Sequence, residues 1–163
     1  MTAPLLDTSV IVRYLSDDPK ELADQAGAII DGPSAVSVEA IALAEAAYVL
    51  KSVYHFPRER IIDALIALVE KENVQPLHLN RTLLVEALRL CRPSGRISIP
   101  DALIWAEARS SGANAVYSFD RQFPRDSLRV LSSARDTAGG HSDTNRTDGT
   151  TTDRMNGTTG EAT

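Results

Sequence analysis

Aromatic residues are scarce in this chain: three Phe, four Tyr and one Trp make up 5% of its 163 residues. The core must therefore be built from aliphatic side chains, which a 43% hydrophobic content supplies. Cysteine is nearly absent, and the single Cys91 excludes an internal disulfide. Long apolar runs are missing too; the best stretch, residues 40–50, is broken by Glu45 and falls short of the ~20 residues that cross a bilayer. The first residues, Met1-Thr2-Ala3-Pro4-Leu5-Leu6-Asp7, carry no basic region and only a stub of apolar side chains. These absences lead to the expectation of a cytoplasmic protein with no membrane span. Positive charge is in deficit, with 17 Lys and Arg against 22 Asp and Glu, a net charge of −5. That argues against holding nucleic acid by a broad basic surface. A site in which metal ions bridge protein carboxylates to phosphate would tolerate the balance.

What is present reads as one domain followed by a tail. Short apolar segments at 3–7, 35–38, 74–79, 115–119 and 128–131 are expected strands. Between them lie helical patterns. One follows Asp7-Thr8-Ser9, one runs from Pro19 to Gly32-Pro33, and others cover 39–54, 57–71, 81–91 behind Asn80, and 99–111 up to Gly112. Strands alternating with helices predict an α/β fold, with a mainly parallel central sheet of four to five strands flanked by helices. In 57–71 the apolar positions Ile61, Ile62, Leu65, Ile66, Leu68 and Val69 span an arc of about 160°, wider than one core requires, which hints at a homodimer. Residues 1–131 form the expected domain. Residues 132–163 are dominated by Thr, Ser, Gly and Asp and cannot bury enough surface to fold, so a disordered polar tail is expected there.

Four carboxylates stand out within the domain. Glu45 has Ile41, Ala42, Tyr48 and Val49 as its helical neighbours, an apolar face on which an unpaired charge is costly. Either a partner such as Arg13 or Arg96 neutralises it, or it serves a site. Asp7 ends the first expected strand, at the sheet edge where open α/β proteins bind ligands; it could equally cap the helix that follows. Asp101 lies three residues after Ser98, and Ser98-Ile99-Pro100-Asp101 has the form of a capping box. Asp120 follows Val116-Tyr117-Ser118-Phe119 and repeats the strand-end position of Asp7. A parallel sheet gathers strand C-termini and helix N-termini on one edge, so these acids are expected to converge. Convergent carboxylates repel and require a cation. With His55, His78 and His141 scattered and Cys91 alone, the expected ion is oxygen-liganded Mg²⁺, or Mn²⁺.

Four segments carry a family resemblance: Leu5-Leu6-Asp7-Thr8-Ser9-Val10, Ala44-Glu45-Ala46-Ala47-Tyr48-Val49-Leu50, Pro100-Asp101-Ala102-Leu103-Ile104 and Tyr117-Ser118-Phe119-Asp120-Arg121-Gln122-Phe123. Over residues 4–131 the chain resembles the PIN-domain ribonucleases, specifically VapC-type toxins of toxin–antitoxin pairs. The resemblance implies a PIN-like domain and a metal-dependent endoribonuclease in which Asp7, Glu45, Asp101 and Asp120 hold the metal and activate water, with Ser118 supporting the site. It also implies an RNA substrate and an inhibitory antitoxin protein. Ser9 stands where many relatives have Asn, which touches only a supporting hydrogen bond. Arg13, Arg92, Arg96 and Arg121 are candidates for gripping RNA phosphates, or are solvated surface charges.

Two other functions compete. An aspartate-nucleophile phosphatase would need a second acid two residues after Asp7, where Ser9 stands. A catalytically inactive PIN-like module that binds RNA or protein is the other; four retained acids argue against it.

Overall fold

The structure, a computed structural model, describes residues 3–137. Among these, six helices alternate with four short strands. The order is α1 (Thr8–Ser16), α2 (Lys20–Ile30), β1 (Val36–Val38), α3 (Ala40–Ser52), α4 (Arg58–Val69), β2 (Val74–Pro76), α5 (Arg81–Leu90), α6 (Ile99–Ser110), β3 (Ala115–Tyr117) and β4 (Arg129–Leu131).

Helix starts follow local chemistry. Asp7 caps α1 by accepting from the Ser9 N–H, Asn80 caps α5 through the Leu83 N–H, and Ser98 caps α6 through the Asp101 N–H with Pro100 in the first turn. Gly112, at φ 78°, takes the left-handed conformation that lets the chain turn away after α6. Among the described residues no helix is long and apolar enough to cross a membrane.

All strand pairing is parallel, as expected, but the described strands do not join into one four- to five-stranded sheet. β1 pairs with β2, and β3 pairs with β4, as two separate two-stranded ladders. The expected first strand, 3–7, contributes only a bridge from Leu5 to Ser37. Its bonds run from the Leu6 N–H to the Ser37 carbonyl at 2.8 Å and from the Ser37 N–H to the Pro4 carbonyl at 2.7 Å. Pro4 has no N–H to extend this ladder, and three-residue strands offer few bonds with which to recruit a further neighbour.

The core is aliphatic around the fully buried Trp105. Helix α3 lies at its centre, burying Leu43, Ala46, Ala47 and Leu50 and packing against α1, α4 and α6. On α4, Ile61, Ile62, Leu65, Leu68 and Val69 are all buried within the chain itself, and Ile66 packs at the core margin. The wide apolar arc that hinted at a homodimer is thus covered intramolecularly, because α4 is flanked by α3, α5 and β2 at once. Arg58, at the start of α4, donates through Nε to the Cys91 carbonyl and through Nη2 to the Ile97 carbonyl. It pins both ends of the exposed loop between α5 and α6. Burial pushes the Cys91 thiol up to about 11.

Of the expected tail, residues 132–137 are described. Ala134–Thr137 forms a 3₁₀ turn, and the Asp136 carboxylate accepts from the Ser132 and Ser133 N–H groups at 2.8 Å each. Residues 138–163 lie outside the described residues.

The Trp105 indole N–H donates to the Asp126 carbonyl at 2.9 Å, tying α6 to the loop before β4. Trp105→Phe removes that donor and leaves a gap in the core, so it is expected to lower stability by about 2 kcal/mol. Urea unfolding followed by circular dichroism measures this, because Trp105 is the sole tryptophan. A change below about 0.5 kcal/mol would show that the bond is not worth its geometry.

Candidate active site

Asp7 and Glu45 meet at the edge where the N-terminal segment and β1 both end. Asp7 uses one oxygen, Oδ2, to accept from the Ser9 N–H at 3.0 Å and the Ser9 hydroxyl at 2.6 Å. Both of these bonds fall on Oδ2, so the capping role and a ligand role are compatible on the same side chain. The Ser9 hydroxyl, then its N–H, hold the Asp7 carboxyl below its ordinary value. The next residue, Thr8, donates its hydroxyl to Glu45 Oε2 at 2.7 Å and so links the first turn of α1 to α3.

Glu45 is exposed, and its apolar neighbours divide: Ile41 and Tyr48 are each 70% exposed, whereas Ala42 is buried and Val49 half-buried. The reading of its neighbours as an apolar face holds, but Glu45 lies at the side of that face which borders a cleft, while Ala42 and Val49 reach the core. Neither proposed cation reaches it. Arg13 donates to the Asp18 carbonyl and to the Tyr54 hydroxyl, and the Arg96 side chain makes no ion pair among the described residues. Arg92 is also engaged elsewhere, with Nε at 2.7 Å and Nη2 at 3.1 Å from the two Asp63 oxygens. Of the four arginines suggested for phosphate, only Arg96 and Arg121 keep unpaired guanidinium groups among the described residues.

Asp7 and Glu45 line one cleft of about 300 Å³ with Leu5, Leu6, Thr8, Glu39, Ile41 and Ala42. Glu39 was not singled out from the sequence. It directly follows the last residue of β1, and the strand-end logic applied to Asp7 and Asp120 would have found it. It occupies the N-cap position of α3 without making a capping bond.

Asp101 and Asp120 do not line this cleft. Asp101 accepts from the Ser98 hydroxyl while its N–H donates back to Ser98, a reciprocal cap at the start of α6. Asp120 is exposed after β3; its Oδ1 accepts from the Gln122 N–H at 2.8 Å, and its N–H donates to the Ser118 hydroxyl at 3.0 Å. Ser118 thus shapes the turn that carries Asp120. Among the described residues no three His, Cys, Asp or Glu side chains are grouped so as to hold a metal ion as placed. The donors in the cleft are nevertheless all hard oxygens, carboxylates and one hydroxyl. That set suits Mg²⁺, which keeps several waters and needs few protein ligands.

The cleft lies at the strand ends, where open parallel α/β domains bind their ligands. The chain matches the PIN domain family over residues 5–126, three-quarters of its length, and belongs to that family. PIN domains are typically nucleases that act on RNA and generally use a divalent metal, most often Mg²⁺. No curated protein matches the chain.

The geometry separates the two roles of Asp7. Asn caps a helix about as well as Asp, so Asp7→Asn is expected to leave the thermal midpoint within about 2 °C, whereas Asp7→Ala loses the cap and about 1 kcal/mol. Thermal unfolding of both variants checks this. Equal losses in the two would mean that the charge, not the cap, stabilises α1.

Proposed function

We propose that this chain is a Mg²⁺-dependent endoribonuclease, the toxin component of a toxin–antitoxin pair, with Asp7, Glu45, Asp101 and Asp120 as its metal-binding and catalytic acids and Ser118 in support. The observation that carries the reading is Glu45. It stands on a helix face with no ion-pair partner among the described residues, oriented by Thr8 into the cleft that Asp7 lines. Its Oε2 is held by a neutral hydroxyl and by no arginine or lysine among the described residues, which leaves the side chain available to a ligand in the cleft.

Asp7 and Glu45 are the residues that would hold the ion, with Mn²⁺ as a substitute and Glu39 at hand in the same cleft. Bound there, the metal supplies a water of low pKa and charge stabilisation at the scissile phosphate. The chain's own residues do the rest. Ser9 keeps Asp7 ionised, Thr8 fixes the Glu45 rotamer, and the Ser118 turn presents Asp120 at the end of β3. No side chain is required as a covalent nucleophile. A homodimer and an antitoxin protein complete the reading. The exposed groove between α3 and α6, lined by Ile41, Leu103 and Ile104, is an apolar surface open to either.

One observation favours the second reading, a PIN domain that binds RNA or protein without cutting: Asp101 and Asp120 are each engaged in a cap of their own turn. The two readings part on activity. Total RNA incubated with the purified chain is expected to be cut in Mg²⁺ or Mn²⁺ and left intact in EDTA, with Asp7→Asn and Glu45→Gln each slowing cleavage by about 100-fold or more. Calorimetric titration of Mn²⁺ into the same proteins gives a second readout, in which both variants bind more weakly. Intact RNA in every condition would leave the binding module. Cleavage that survives both substitutions would remove these acids from the site.

A further inference from the structure

The exposed aromatic rings are distributed unevenly. Of the eight aromatic residues, Trp105 and Phe123 are buried and Tyr14, Tyr54 and Phe56 are half-buried. The three that remain are Phe119, 91% exposed, Tyr48, 70%, and Tyr117, 59%. Each lies within three residues of a candidate acid: Tyr48 one helical turn after Glu45, and Tyr117 and Phe119 just ahead of Asp120. A chain that spends so few aromatics places every exposed one beside the acids.

The Phe119 ring is not exposed through looseness. The Ser118 N–H donates to the Leu131 carbonyl, the Asp120 N–H to the Ser118 hydroxyl, the Gln122 N–H to Asp120 Oδ1 and the Phe123 N–H to the Asp120 carbonyl. Four bonds thus hold the backbone on either side of the ring in one conformation. Tyr48 is fixed in the middle of α3 and lines a second cleft, of about 200 Å³, with Lys51, Ser98 and Pro100. Beside each ring stands a cation with no ion pair among the described residues: Lys51 three positions after Tyr48, and Arg121 two after Phe119.

A rigidly presented ring beside a free cation is the chemistry that holds a single-stranded nucleic acid, the ring against a base and the cation against the backbone. Bases in a duplex hide their faces and could not use it. We infer that Tyr48 and Phe119 are base-stacking residues that select an unpaired RNA segment and set it against the acids. This inference rests on the ribonuclease reading and names the substrate feature that reading leaves open. A protein partner covering the same rings is the competing occupant, and RNA binding that ignores the rings is the outcome that would favour it.

Binding is measured in the Asp7→Asn background with Mg²⁺, using a labelled RNA of about twelve nucleotides as a single strand, as a duplex with its complement, and as an abasic strand of equal charge. Tyr48→Ala and Phe119→Ala are each expected to weaken single-strand binding about tenfold and to leave abasic binding unchanged. Phe119→Trp should retain affinity within about twofold, and its new indole should be quenched by the single strand and not by the abasic strand. Phe119→Leu, apolar but without a π face, should bind like the alanine variant. Unchanged thermal midpoints keep folding out of the comparison. Equal affinity for all three RNAs, alanine variants that bind the single strand normally, or no RNA binding at all would overturn the inference. Cleavage by the chain with Asp7 intact is scored separately. Cutting without ring dependence refutes the stacking alone, and ring-dependent binding without cutting refutes the nuclease alone.

Discussion

The structure turns on how closely α3 can be approached. Its alanines at 40, 42, 44, 46 and 47 have almost no side-chain bulk, so α1, α4 and α6 pack against one helix together. Leu43 and Leu50 fill what space remains. That packing leaves α3 only one free strip, and Ile41, Glu45 and Tyr48 lie along it. The direction of Glu45 is therefore set by the core behind it. The hydroxyl of Thr8 makes the final adjustment from the helix next door.

Electrostatics are arranged so that the cleft remains acidic. Elsewhere on the surface the ion pairs join Asp17 and Asp24 with Lys20, Asp31 with Lys71, Asp63 with Arg92 and Glu70 with Arg89. Such exposed pairs add little stability individually. Their distribution is more informative, since none of these cations is directed at Asp7, Glu39 or Glu45. Among the described residues the acids of the cleft therefore keep no ion-pair partner.

Most helices were legible because their signals are local. Pro19, Asn80, Ser98 with Pro100, and Gly112 mark boundaries that the structure keeps within a residue or two. Asp7, Asp101 and Asp120 were placed at helix and strand ends by the same local logic, and their capping alternatives proved to be present alongside any function. What failed depended on distant partners. Strand continuity is decided by hydrogen bonds between residues far apart in sequence, so neither the single bridge at Leu5 nor the separation of the β3–β4 pair left a mark in the pattern. The arc on α4 could not reveal that three elements of the same chain would cover it. For Glu45 the neighbours were legible but not which of them, Ile41 and Tyr48, would stay exposed, because periodicity gives the face of a helix without saying what lies opposite. Glu39 was passed over although it sits in the kind of position used to select the others.

The Arg58 clamp separates two properties that usually go together in a loop, its length and the placement of its ends. One guanidinium holds the carbonyls of Cys91 and Ile97, so α5 and α6 are spaced by an arginine and not by the five exposed residues from Arg92 to Arg96 that run between them. Once the stems are fixed in this way, added residues cost only the slow logarithmic entropy of a longer loop. The stretch between those two carbonyls is accordingly the place where the domain can accept an inserted sequence, a recognition hairpin or a reporter peptide, close to the start of α6 and without moving it.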